Sequence, residues 1–255
     1  NRFALAAPPM GYISLLTRLA CSSVLLAGAC EKTLYLTIDT GSMGPAEQIA
    51  AVLRKHNVKA TFFVANERTT RGDMSMDPSW APFWKRLASE GHAFGNHTYR
   101  HWYFRQDLPG GRVTYAGKNG QRERLDRAGV CRELEHSARA FEALTGRRYD
   151  PIWRAPGGRT TPFTLQAAKS CGYPEHVGWS PAGFLGDELP SDRYPNQQLL
   201  RNAVRDLRDG DVLLLHLGIW SRKDPFWPML DPLLTQLQAK GFCFATIPER
   251  QGARQ

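Results

Sequence analysis

The sequence lacks the features that define several protein classes. Its 5 cysteines are widely spaced and form no C-x-x-C pair, which argues against a zinc finger and against a dense disulfide framework. No apolar run has the roughly 20 residues of a membrane-spanning helix. There is no long low-complexity tract, internal repeat or linker. We therefore expect one sizeable domain with buried free thiols, and a Cys171–Cys243 disulfide is the alternative.

The charge is unbalanced. The 33 lysine and arginine residues outnumber the 24 acidic residues, which gives a net charge of +9. This balance suits an anionic partner such as nucleic acid, a membrane surface or an acidic polymer. Because no nucleic-acid-binding motif is present, we expect no nucleic-acid partner. The charge then favours solubility and an anionic cell-envelope environment.

The first 30 residues have the character of a targeting segment. Arg18 precedes the apolar run 19–29, which ends in the small residues Ala27-Gly28-Ala29. This order is typical of a secretory signal peptide, and a buried terminal helix is the alternative. We expect residues 1–30 to be a signal peptide or N-terminal extension and the protein to be secreted or periplasmic. Cys30, directly after the small residues, would permit a membrane anchor through a lipid.

The rest of the chain alternates between short apolar β-type runs and helical patterns. Strands are predicted at residues 34–39, 59–64, 92–96, 152–154, 176–179, 211–215 and 242–247. Helices are predicted at residues 45–56, 80–90, 132–144, 161–171, 196–207 and 228–240. Seven strands that alternate with helices predict an α/β domain with parallel strands, for which closure into a barrel is a natural arrangement.

Two histidines form the most informative local pattern. His97 and His101 are four residues apart, a spacing at which two imidazoles of a helical turn can face one metal ion. A metalloprotease pattern would need a glutamate directly after the first histidine, and Thr98 stands there instead. By itself such a pair is more often a solvated surface feature than a metal site.

Other reactive side chains follow the ends of predicted strands. Asp39, Arg154, Trp179 and His216 each stand at or just beyond a strand end, as the histidine pair does. The carboxyl ends of parallel strands meet on one face of a barrel, so these groups are expected to line one mouth. Taken singly, the aspartate could cap a turn and the last histidine could be a core residue.

Four segments resemble the motifs of polysaccharide deacetylases, the NodB-homology family or carbohydrate esterase family 4. They are LTIDTG at 36–41, GNHTYRH at 95–101, RAPGG at 154–158 and LLLH at 213–216, in the family's order. The resemblance spans residues 32–247 and implies a single domain, at residues 31–255, with a distorted seven-stranded β/α barrel. It also implies metal-dependent deacetylation of an N-acetylated polysaccharide such as a peptidoglycan or a chitin-like glycan.

The resemblance implies a role for each matching residue. Asp39 would be the base that takes a proton from water, Arg154 would orient it, and His216 would protonate the leaving amine. His97 and His101 would hold a divalent metal, zinc (Zn²⁺) first and Co²⁺, Ni²⁺ or Mn²⁺ as alternatives.

The same resemblance implies three substrate contacts. The N–H of Gly157 would stabilise the oxyanion. Leu214 would line the slot for the acetyl methyl group, and Trp179 would contact the sugar, although packing is its alternative role.

The chain departs from the family pattern at two places. Thr40 stands where the family has a second, metal-binding acid, and a neutral hydroxyl is a poor ligand, so Ser42 or water would have to fill the gap. The loop 179–184 lacks the aspartate that supports the catalytic histidine, and Asp187 is the nearest replacement.

Two functional alternatives follow. One is a carbohydrate-binding protein that has lost catalysis through Thr40, and the other is an esterase for O-acetylated, xylan-type glycans. The long basic connection 103–130 is interpreted as a loop that sets substrate choice or is merely solvated.

Overall fold

The structure is a computed structural model that describes residues 30–252. The expected signal peptide lies, except for Cys30, outside the described residues and stays a prediction. Within the described part of the chain, every helix is too short or too polar to cross a bilayer.

Helices and strands alternate largely as predicted. The strands are β1 (Lys32–Asp39), β2 (Thr61–Val64), β3 (Ala93–Asn96), β4 (Tyr103–Leu108), β5 (Arg112–Ala116), β6 (Arg122–Asp126), β7 (Ile152–Trp153), β8 (Glu175–His176), β9 (Val212–His216) and β10 (Phe242–Phe244). The helices are α1 (Ala46–Lys55), α2 (Ala81–Ser89), α3 (Arg127–Thr145), α4 (Pro162–Ser170), α5 (Asn196–Asp206), α6 (Leu230–Ala239) and α7 (Ile247–Gly252).

Seven of these strands form one parallel sheet. The strand order is β10-β1-β2-β3-β7-β8, and β9 also pairs with β1. In this register Asp39 lies opposite Phe63 of β2 and His216 of β9. The sheet confirms the predicted single-domain, distorted seven-stranded β/α barrel.

The distortion lies between β8 and β9, where the irregular segment 177–195 precedes α5. The Ser180 N–H donates to the carbonyl of Val212 at 3.0 Å, and the Leu214 N–H donates to the carbonyl of Gly183 at 2.9 Å. A side chain at Gly183 would collide with the carbonyl group of Val212, so this close approach requires glycine. The predicted strand at 176–179 is therefore only the two-residue β8.

Alternation along β1 decides which side chains face the site. Leu34, Leu36 and Ile38 are fully buried in the main core with residues of α1 and α6. Burial of each such side chain contributes about 1.5–3 kcal/mol relative to exposure. Because strand side chains alternate with a period of two, Asp39 points to the other face, inside the barrel.

The interpretation of segment 103–130 as a loop is wrong. The segment is not an open loop, because β4, β5 and β6 form a three-stranded antiparallel sheet. Its buried face carries Phe104, Val113, Tyr115 and Leu125, which pack in a second apolar cluster. The turn glycines with positive φ between these strands, such as Gly110 at 76°, were the available signal.

The prediction for the cysteines is also wrong, because they form two disulfides. Cys30 is bonded to Cys243 and Cys131 to Cys171, with Cα–Cα distances of 6.0 and 5.4 Å, so the expected free thiols and the Cys171–Cys243 alternative are wrong. The first bond joins the start of β1 to β10. Because the Cys30 sulfur is part of this bond, it is not available to form a thioether with a lipid.

Candidate active site

The reactive side chains converge on one cavity of about 350 Å³ at the carboxyl ends of the parallel strands. Arg154 is fully buried behind it. Eight of the other residues singled out in the sequence line the cavity directly, whereas Ser42 and Asp187 line a neighbouring one. The eight are Asp39, Thr40, His97, His101, Gly157, Trp179, Leu214 and His216.

Asp39 and Arg154 form a buried ion pair. The Arg154 Nη1 lies 2.7 Å from the Asp39 Oδ1, and the guanidinium also donates to the carbonyls of Val177 and Gly178 at 2.8 and 3.0 Å. Burial opposes ionisation of Asp39, but the charge of Arg154, helped by those of His97 and His216, brings its pKa below the usual value. The carboxylate is therefore ionised at neutral pH and held in one orientation.

His97 presents one ring nitrogen to the cavity. Its Nδ1 lies 2.8 Å from the carbonyl oxygen of Arg154, and because a carbonyl only accepts, this nitrogen carries the proton. The Nε2 atom is buried, has no hydrogen-bond partner and lies 3.4 Å from the Asp39 Oδ2. In the neutral ring this nitrogen carries the lone pair that can bind a metal.

The segment that carries His97 and His101 is not helical, so the predicted helical turn is wrong. The two imidazoles nevertheless lie close together. Thr98 and His101 have left-handed φ values of 64° and 55°, and this bend after β3 brings the rings of His97 and His101 to 4.8 Å between centroids. Such backbone costs about 1–3 kcal/mol per non-glycine residue and persists where the surroundings enforce it. Burial, partly offset by the charge of Glu67, lowers the pKa of His101 to about 4, so its ring is neutral.

Glu67 is a site residue that the sequence reasoning missed. It lies three residues beyond β2, with its Oε1 3.5 Å from the His101 Nδ1 and its Oε2 buried without a hydrogen-bond partner. Although burial opposes ionisation, His101, the Thr40 hydroxyl and His97 lower the pKa of Glu67. Its position just past a strand end was a signal of the same kind as those that identified the other residues.

Asp187 is the partner of His216. The carboxylate lies 3.0 Å from the His216 Nδ1 and accepts the backbone N–H of the same residue at 2.8 Å. Burial alone would lower the pKa of His216, but the charge and hydrogen bond of Asp187 raise it to about 9. The imidazole is thus protonated at neutral pH, and the replacement considered from sequence occupies the supporting position.

Glycines and aromatic rings shape one side of the cavity. Gly157 lies in a tight turn with φ 63°, where a Cβ would come within 2.9 Å of the Tyr103 ring. Its neighbour Gly158 is covered by the Trp179 ring in the same way. Leu214 is 2% exposed, whereas Trp220 at the rim is 62% exposed.

The donor atoms suit a divalent metal ion, although no three or more His, Cys, Asp or Glu side chains within residues 30–252 form a ready-made cage. Neighbouring ligand atoms of a tetrahedral zinc lie about 3.3 Å apart, given metal–ligand distances of about 2.0–2.1 Å. The His101–Glu67 separation of 3.5 Å is close to this value and exceeds the usual hydrogen-bond range of about 2.7–3.2 Å.

An ionised carboxylate and an imidazolium face one cavity at the mouth of a β/α barrel, an arrangement that suits acid–base chemistry. The chain belongs to the polysaccharide deacetylase family, whose model matches residues 27–176. This confirms the family that the motifs predicted.

Relatives and a solved structure agree with this assignment. The chain is 26% identical to a peptidoglycan-N-acetylglucosamine deacetylase of Bacillus cereus over 86% of this chain and 88% of the relative. It is 27% identical to a peptidoglycan-N-acetylmuramic acid deacetylase of Bacillus subtilis, over 88% and 73% of the two chains. Its fold is similar to that of a CE4 family pseudoenzyme from Bacillus anthracis, with a TM-score of 0.64, 21% identity, and 86% and 64% coverage.

Proposed function

We propose that the protein is a divalent-metal-dependent deacetylase that hydrolyses the acetamido groups of an N-acetylated cell-wall glycan. The observation that carries this proposal is the pairing of opposite charge states across one cavity, with ionised Asp39 held by Arg154 and protonated His216 held by Asp187. An acid and a base whose pKa values are driven apart are what amide hydrolysis requires. The peptidoglycan deacetylases among the relatives support the substrate class.

Each side chain has a defined task in this reaction. Asp39 accepts a proton from the attacking water, and Arg154 keeps the carboxylate ionised and correctly oriented. His97 and His101 would hold the metal, which when bound polarises the acetyl carbonyl and makes water a better nucleophile. Because Asp187 accepts from the Nδ1–H of His216, the Nε2–H is the proton that His216 delivers to the leaving amine.

The remaining contacts orient the acetyl group. The Gly157 N–H donates to the oxyanion that forms from the carbonyl oxygen. Leu214 packs against the methyl group, and Trp179 contacts the sugar ring.

The surroundings of the cavity suit a polymer rather than a small molecule. A second cavity of about 570 Å³ continues from the first and shares Glu67, His101, Lys118 and Trp220 with it. Its lining adds Arg68 and Arg100, of which Arg100 is already paired with Glu123 and Glu133. Arg68 and Lys118 supply positive charge for the carboxylate-bearing chains of peptidoglycan, and the exposed Trp220 ring is available for sugar stacking.

Thr40 favours one rival function, a carbohydrate-binding protein without catalysis, because the usual acid is missing there. Against it, Asp39, His216 and the histidine pair all line one cavity, and Asp39 and His216 carry opposite charges there. The other rival is an O-acetyl esterase. An amine is a far poorer leaving group than an alcohol, so the protonated state of His216 favours the N-acetyl substrate.

The test is acetate release from N-acetylglucosamine oligomers and peptidoglycan in the presence of zinc, cobalt, nickel or manganese. We expect release that falls about 10²–10⁴-fold in Asp39→Asn, the usual contribution of a positioned base. Asp206→Asn, at an exposed surface pair with Arg205, is the matched control and should behave as wild type. Acetylated xylan in parallel distinguishes the esterase, and no Asp39-dependent release from any of these substrates would support the binding protein.

A further inference from the structure

Glu67 is a carboxylate inside the site that the proposed reaction leaves without a role. Its side chain is 16% exposed and lines both cavities. One carboxylate oxygen is buried without a partner, and the other is 3.5 Å from the nearest His101 nitrogen, too far for a good hydrogen bond. A buried carboxylate without full hydrogen bonding is unfavourable unless a cation compensates it.

Thr40 is arranged as a support for this carboxylate. Its N–H donates to the carbonyl of Phe63 at 3.1 Å, which ties the end of β1 to β2. Its Oγ1 accepts the N–H of Ala65 at 3.2 Å, two residues before Glu67, and the hydroxyl interacts with the Glu67 carboxylate. The hydroxyl thus holds the segment that carries the acid.

Position 40 and position 67 therefore lie at the ends of two hydrogen-bonded neighbouring strands. The carboxylate that the family places after the first strand is absent at position 40, while a carboxylate is present after the adjacent strand. The His97 Nε2 and the Glu67 Oε2 are both buried and unpartnered in this same cavity. Two imidazoles and one carboxylate are an established ligand set for catalytic zinc, which leaves one position open for water.

We propose that Glu67 is the third protein ligand of the divalent metal, together with His97 and His101, and that Thr40 is the residue that positions it. This inference rests on the proposed function, because it concerns the same metal. The three side chains are not preassembled as a cage, so the Glu67 carboxylate completes the set by side-chain rotation when the ion is present.

The experiment measures metal binding directly, by calorimetric titration of the metal-free protein with Zn²⁺. We expect Glu67→Gln, which keeps the shape and removes the charge, to weaken binding at least 100-fold, since loss of an outer-layer partner alone costs about 10–100-fold. Glu188→Gln is the matched control because Glu188 lines the same cavity but is exposed, and its affinity should stay within about threefold of wild type.

Moving the carboxylate from position 67 to position 40 gives a second, independent test. The double variant Thr40→Asp/Glu67→Gln returns the acid to the end of β1, and we expect it to recover at least tenfold of the lost affinity. The visible absorption of bound Co²⁺ should change in Glu67→Gln and not in Glu188→Gln, because this spectrum reports the ligand set. Thermal unfolding of the metal-free variants verifies that each one folds.

The outcomes separate this inference from the proposed function. Zinc affinity within threefold of wild type in Glu67→Gln overturns the ligand assignment, and it does so even if the protein releases acetate. If Glu67→Gln and Glu188→Gln weaken binding equally, general electrostatics explains the effect and the assignment is again wrong. Glu67-dependent zinc binding without acetate release supports the assignment and contradicts the deacetylase function.

Discussion

The pairing of His216 with Asp187 leads to a quantitative prediction for Asp187→Asn. Asparagine keeps an acceptor for the Nδ1–H but removes the charge that offsets burial, so the pKa of His216 should fall from about 9 to 6.5 or below. A difference of this size corresponds to about 3 kcal/mol of interaction with the protonated ring. The general acid would then lose its proton in the physiological range.

The effect on activity depends on pH in a defined way. At pH 8 the protonated fraction should drop about 30-fold, and at pH 5.5 it should change by less than about twofold. The pH profile of kcat/KM for N-acetylglucosamine oligomers should therefore lose its alkaline side first. A loss of activity that is equal at both pH values would show that Asp187 acts only on structure.

The ring itself can be titrated in the metal-free protein by NMR of the histidine C–H resonances. His216 should titrate near 9 in the wild type and in Asp206→Asn, and at least two pH units lower in Asp187→Asn. Since the folded pKa is raised, the stability that this pair contributes is complete below about pH 6.5 and is lost as pH rises through about 9. A wild-type titration near 6.5 would refute the reasoning.

Three further perturbations test other parts of the structure. Arg154→Met should destabilise the protein by about 3–5 kcal/mol, because it leaves Asp39 as an unpaired buried charge, and a loss below about 1 kcal/mol in urea unfolding would contradict this. Reduction of the Cys131–Cys171 bond, or Cys131→Ser, should cost about 2–4 kcal/mol by the same measurement, and equal stability before and after reduction would argue against the bond. Trp220→Ala should raise KM for long oligomers about 3- to 10-fold without lowering the melting temperature, and an unchanged KM would remove this exposed ring from the substrate groove.

The barrel could be predicted because its signals are local. The apolar alternation in β1, the continuous apolar run of β9 and the helical patterns between strands identify parallel β/α units. Side chains at the strand ends then share one face by topology. Strand-end position by itself places Asp39, His97 and His216 at the same mouth of the barrel. The β4–β6 sheet was missed, although its turn glycines are local signals, because a basic connection between motifs was interpreted as a loop.

The disulfides could not be predicted in the same way. Cys30 and Cys243 are 213 residues apart, and Cys131 and Cys171 are 40 apart, so the pairing depends on where β1, β10, α3 and α4 pack. Spacing along a chain does not report such distances.

The sequence by itself determined the family, the barrel and the identity of most reactive groups, because hydrophobic period and strand-end position are properties of short segments. Only the tertiary structure decided how those groups are charged and supported. The partner of His216, the free Nε2 of His97 and the presence of Glu67 beside His101 arise from contacts between separate strands and loops. Protonation and metal-binding capacity depend on burial and on charges a few ångströms away, which a linear sequence does not specify.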